Sequence, residues 1–140
     1  MKTVNEHENK TLIRDWLAAA DDGFPEDFGS FFVSEYRGHL SGRIHMDLEE
    51  LVRLERGFAA GFTDVTRTID DLLAVEDKVV LRLTTTAMHS GEWQGIAPTG
   101  RRITFTGMVI YRIQNGRIAE SWGEIDFASL WRQLTAPVAA

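Results

Sequence analysis

The chain reads as an α+β domain in which helices come first and a curved antiparallel sheet follows. Three observations predict this. Apolar residues recur at helical spacing as far as Phe62, and from Val65 onward the period changes to two. Two pairs of strand-like runs are joined by short turns, one at Glu76-Asp77 and one at Asn115-Gly116. Helical and strand patterns are segregated rather than alternating, which argues for α+β against α/β.

Residues Asn5 to Ala20 place Leu12, Ile13, Trp16, Leu17 and Ala20 on one stripe, with Glu6, Lys10 and Arg14 facing water. Asp21-Asp22-Gly23 ends this helix. Pro25 suits the first turn of a second, short helix in which Phe28, Phe31 and Phe32 supply aromatic surface. Glu35 to Leu40 reads as a short strand. Asp47 followed by Glu50 is a capping box, behind which Leu48, Leu51, Leu54, Phe58 and Phe62 continue a third helix. Val65 to Val75 and Lys78 to His89 form an antiparallel pair. Arg102 to Gln114 and Arg117 to Ile125 form a second around Asn115-Gly116, a pair that tolerates positive φ. Asp126 then caps a closing helix carrying Leu130, Trp131 and Leu134. The Ala-rich tail, Ala136 to Ala140, reads as frayed.

The totals narrow the function classes. A length of 140 residues predicts a single domain, 1–140, with a core able to hold a cavity. Fifteen Lys and Arg against 21 Asp and Glu give a net charge of −6, with no basic patch for a phosphate backbone, so nucleic acid is not an expected partner. The absence of cysteine removes thiolate nucleophiles and zinc–thiolate clusters. The polar start MKTVNEHENK and the lack of a long apolar run predict no export or membrane segment, hence a cytoplasmic protein. His7, His39, His45 and His89 are scattered without ligand spacing, so no metal is expected.

The order of elements and the run GEWQGIAPTGRRITFTGMVIYRIQNGRIAESW, followed by Asp126 and Gln133-Leu134, resembles the SnoaL-like polyketide cyclase family of the NTF2-like superfamily. The resemblance covers nearly the whole chain. It implies a cone formed by a curved antiparallel sheet wrapped by N-terminal helices around a pocket, with a homodimer joined through the sheet. It implies no single reaction, because the fold hosts cyclases, isomerases, dehydratases, epoxide hydrolases, hydroxylases and plain binding proteins. The family's cyclases close a ring by an aldol step, without a cofactor, using an Asp on the last strand and a His on the strand before. Those two positions correspond to Gly123 and Val109 here.

The hairpin admits two registers. A two-residue turn sets Ile113 against Ile118 and Val109 against Trp122, which sends Trp122 and Glu124 into the pocket. A bulged turn sets Ile113 against Arg117 and Val109 against Ser121. In the second register Phe105, Gly107, Val109, Tyr111, Ser121, Gly123 and Ile125 share the pocket side, leaving it apolar and short of carboxylates.

His39 and His89 are the candidate acid/base groups, because imidazole titrates near neutrality. Phe105, Val109, Tyr111, Ser121 and Gly123 are the expected substrate wall, with Trp93 as a cover from its loop; Glu124 joins that wall if a local bulge turns it inward, and otherwise lies at the subunit interface or in solvent. Asp126 is read as a helix cap. The resulting expectation is an enzyme of cyclase or isomerase type acting on an apolar, carbonyl-bearing molecule such as a polyketide. The alternatives are a non-catalytic protein that binds a small ligand, and a hydroxylase or accessory protein of polyketide tailoring.

Overall fold

The computed structural model describes residues 5–137. Helix α1 spans Glu6–Asp21, and strands β1 (Phe32–Leu40) and β2 (Ile44–Met46) precede helix α2 (Leu48–Gly61). Strands β3 (Phe62–Val75), β4 (Lys78–His89), β5 (Arg102–Gln114) and β6 (Arg117–Ile125) follow, and helix α3 (Phe127–Thr135) closes the chain. The expectation for the Ala-rich tail falls largely on residues 138–140, outside the described residues.

Each helix starts where a side chain satisfies an orphan backbone N–H. Asn5 accepts from Glu8 N at 3.0 Å. Asp47 and Glu50 complete a reciprocal capping box on α2. Asp126 accepts from Ser129 N at 3.0 Å, so it is the cap of α3. Pro25 does not open a helix. The following segment makes only a three-residue 3-10 turn, Phe28–Ser30, capped by Asp27, and Phe32 already belongs to β1. Phe62 likewise begins β3 instead of ending α2.

The sheet has six strands in the order β2-β1-β6-β5-β4-β3. All neighbours are antiparallel except β1 and β6, which run parallel, so the sheet is mixed and not purely antiparallel as expected. That pair joins residues far apart in sequence and leaves no turn signal to read.

The β5–β6 hairpin matches neither expected register. Asn115 and Gly116 both have positive φ, 52° and 76°, and Ile113 lies opposite Ile118, as a two-residue turn requires. The register then shifts, so that Arg112 faces Glu120 and Val109 faces Gly123. Ala119 is the extra residue of a bulge, and it restores to the pocket side the same residues that the bulged-turn register predicted.

The concave face of the sheet carries the core. Ile13, Trp16 and Leu17 of α1 pack on Leu81, Tyr111 and Ile113, while Leu130 and Leu134 of α3 join a second cluster with Phe62, Ala87 and Ile103. Trp16 is the hub of the first cluster, with Phe24, Phe28, Phe31 and Phe32 at centroid separations between 4.8 and 5.7 Å. The convex face leaves Met108, Ile110 and Trp122 exposed.

Candidate functional site

Between the helices and the concave face lie two adjoining chambers of about 150 and 120 Å³. They share Trp16, Leu54, Glu55, Val109, Tyr111, Ile125 and Phe127. Period-two alternation explains the wall. Phe105, Gly107, Val109 and Tyr111 of β5 line the first chamber, and Ser121 and Gly123 of β6 line the second. Trp93, from the loop before β5, also reaches the first chamber.

The expectation of a chamber short of carboxylates fails at Glu55. This residue lies on α2, four residues after Leu51 and three before Phe58, on the stripe that faces the sheet, and it borders both chambers. Burial raises its carboxyl from 4.5 to about 7, an effect only partly offset by the Arg67 guanidinium. The readable signal was a glutamate inside an apolar helical repeat. Sequence reasoning passed over it because the chemistry was sought on the last two strands.

Two phenols face this carboxyl. Tyr36 hydrogen-bonds Ser121 across the parallel strand pair, oxygen to oxygen at 2.6 Å, and burial pushes its hydroxyl up to about 12. Gly38 makes that reach possible. A Cβ there would stand 2.5 Å from the Tyr36 hydroxyl and 2.9 Å from Met46. Burial also raises the Tyr111 hydroxyl well above its ordinary value. Both phenols therefore remain O–H donors at neutral pH beside a carboxyl that exchanges its proton there.

Arg67 of β3 is the cation of the first chamber. Its Nη1 donates to Asp21 Oδ1 at 2.9 Å, and its backbone N–H donates to the other carboxylate oxygen at 3.2 Å. The end of α1 is thereby clipped to β3.

The two expected histidines stand outside this group. His39 contributes to the wall of the second chamber, but its ring turns to the convex face. There it stacks on Trp122 with centroids 5.6 Å apart and bonds Glu120 through Nε2 at 2.8 Å. Its Nδ1 meets His45 Nδ1 at 2.8 Å. The His39 bond, followed by Arg112, holds the Glu120 carboxyl below the usual carboxylate range. His89 is fully buried and lines neither chamber. Its Nδ1 accepts from the Thr99 backbone N–H at 3.1 Å, leaving the proton on Nε2, which has no hydrogen-bond partner among the described residues. Burial lowers its pKa, so it is neutral and fastens the loop before β5. Glu124 is exposed on the convex face beside Met108 and Trp122, not turned inward.

Among the described residues no group of three or more His, Asp or Glu side chains is placed to hold a metal ion, and no helix is long and apolar enough to cross a membrane.

Comparison with solved structures finds the same architecture. AclR from Streptomyces galilaeus, a candidate hydroxylase, superposes with a TM-score of 0.87 at 25% identity, over 96% of this chain and 100% of that one. TsrD from Streptomyces laurentii gives 0.83 at 30% identity, over 96% and 100%. IdmH from Streptomyces antibioticus, a candidate polyketide cyclase, gives 0.80 at 27% identity, over 91% and 99%. No curated protein matches the chain. The family model of the SnoaL-like polyketide cyclases matches residues 10–134, nearly the whole of the described structure. With the cone-shaped α+β fold and its pocket, this match establishes that the chain belongs to the SnoaL-like polyketide cyclase family.

Proposed function

We propose that the protein is a cofactor-independent enzyme that moves a proton at the carbon next to a carbonyl of a small, largely apolar substrate. The observation that carries this reading is the placement of Glu55. It is a carboxyl inside an apolar chamber, titrating near neutrality, with the Tyr36 and Tyr111 hydroxyls on the facing wall. A base poised at the working pH takes the proton, and phenols stabilise the charge that develops on the carbonyl oxygen. The resulting enolate then accepts a proton elsewhere or attacks a second carbonyl of the same molecule, which gives isomerisation or ring closure respectively.

In this reading Phe105, Val109, Gly123 and Trp93 shape the substrate's apolar body, and Ser121 orients Tyr36. His89 supports the loop, and His39 holds Glu120 and stacks on Trp122 at the convex face.

The test is hydrogen–deuterium exchange at the α-carbon of a bicyclic ketone such as 2-tetralone, followed by NMR. The wild type should accelerate exchange as pH rises through about 7, and Glu55→Gln should slow it on the order of a hundredfold. Equal rates for both proteins would refute the assignment.

A second reading, an oxygen-using hydroxylase or its accessory protein, draws on the likeness to AclR. Oxygen uptake with a reduced quinone, in place of ketone exchange, would select it. For assembly, the apolar residues Met108, Ile110 and Trp122 on the convex face support a homodimer built through the sheet.

A further inference from the structure

Arg67 is held in an unusual way for a residue at a chamber wall. Its guanidinium carbon lies 5.1 Å from the ring centroid of Phe24 and 5.6 Å from that of Phe58, so two aromatic faces fix its plane. Asp21 engages Nη1 and the backbone N–H and spends both of its oxygens doing so. The opposite edge of the guanidinium, Nε and Nη2, makes no hydrogen bond among the described residues, although the side chain is only 10% exposed. These two parallel N–H donors have no protein acceptor and keep some accessible surface, so they stay open to a ligand on a side chain that is otherwise held in place. Their spacing matches the two oxygens of a carboxylate.

Glu55 does not serve as that acceptor. It makes no hydrogen bond to Arg67, and burial keeps it largely protonated below neutrality. The chamber thus offers a fixed two-donor edge at one end and a proton-exchanging carboxyl nearby, with apolar walls between them.

We propose that the substrate is a keto acid whose carboxylate docks on the Nε–Nη2 edge of Arg67, placing the ketone's α-carbon toward Glu55. This inference rests on the reading of the cone as a proton-transfer site and adds the charge and polarity of the substrate to it. Arg67 would then be the residue that selects substrates, with Asp21, Phe24 and Phe58 positioning it.

The experiment compares binding of 2-naphthoate and of its uncharged analogue 2-naphthamide by calorimetry at pH 7. Wild-type protein should prefer the acid about tenfold or more, the equivalent of one charge-assisted hydrogen bond. Arg67→Gln should abolish the preference while still binding the amide, and Arg67→Lys, which keeps the charge but loses the planar fork, should show an intermediate preference. Thermal unfolding of each variant accompanies the titrations, and if Arg67→Gln does not fold, the lysine variant decides: an unchanged preference there overturns the inference. Equal affinity of the wild type for acid and amide, with ketone exchange still catalysed, also overturns it while leaving the proton-transfer reading intact. Failure of both probes to bind, together with no exchange, refutes both.

Discussion

Glu55 makes the stability of the protein depend on pH in a direction opposite to that of an ordinary salt-bridged carboxylate. Its folded-state pKa is raised from 4.5 to about 7, so between those values the native state holds a proton that the unfolded chain has released. Stability from this group is complete below about 4.5 and is lost as pH rises through about 7. The loss is roughly 1.4 kcal/mol for each unit of separation between the two states. His89 acts in the other direction, because its lowered pKa costs stability as pH falls. Comparing wild type with Glu55→Gln removes the histidine's contribution. The melting temperature of wild type should fall relative to that of the variant as pH rises from 4.5 to 8, and parallel curves would show that the carboxyl is not held in the chamber. Gly38 gives a second test at this scale. Gly38→Ala should destabilise by about 1–3 kcal/mol and displace the Tyr36 phenol from Ser121. Ketone exchange should slow with it, and unaltered exchange would remove Tyr36 from the mechanism.

Among the elements, the β5–β6 hairpin shows best what the sequence reveals and what it conceals. The strand limits and the turn were legible because Asn-Gly between two β-rich runs has a mechanism behind it, the tolerance for positive φ. The bulge at Ala119 was not, since alanine in a strand has no chemistry that marks it as unpaired. Yet the ladder beyond that residue decides which side chains enter the cone. Deleting Ala119 removes the unpaired residue and leaves Arg112 opposite Glu120 and Val109 opposite Gly123, so Ser121 and Gly123 should stay on the inner face. The expected outcome is a folded protein that still binds the probes. A deletion variant that folds but has lost binding would mean that Trp122 and Glu124 had turned inward and that the pairing does not follow the observed ladder. The capping box of α2 was equally legible, being a local pattern. The Pro25 segment misled, because the aromatic residues after it are claimed by the Trp16 cluster and by β1 before a helix can propagate.

At the scale of the whole molecule, the cone was legible through its repeat patterns and its family resemblance, while its contents were not. Strand alternation grouped Phe105, Val109 and Tyr111 on one face of β5 and Ser121 with Gly123 on one face of β6, and the family resemblance, not local sequence, set the two groups on the same side. Glu55 and Arg67 reach the chamber from α2 and β3, and their meeting depends on long-range packing that no spacing announces. The convex face carries the remaining prediction. If the sheet joins two copies, Met108→Glu should convert a dimer into a monomer in sedimentation, with little change in the melting temperature of the subunit, since Met108 is 52% exposed. A wild-type monomer at micromolar concentration would refute the dimer.

Trp16 belongs to the walls of both chambers, Trp93 to that of the first, while Trp122 and Trp131 face outward. The molecule therefore carries its own optical gauge. Indoles shielded from solvent emit at shorter wavelength than wetted ones, so occupancy of the interior should register on the blue side of the fluorescence band without any added label.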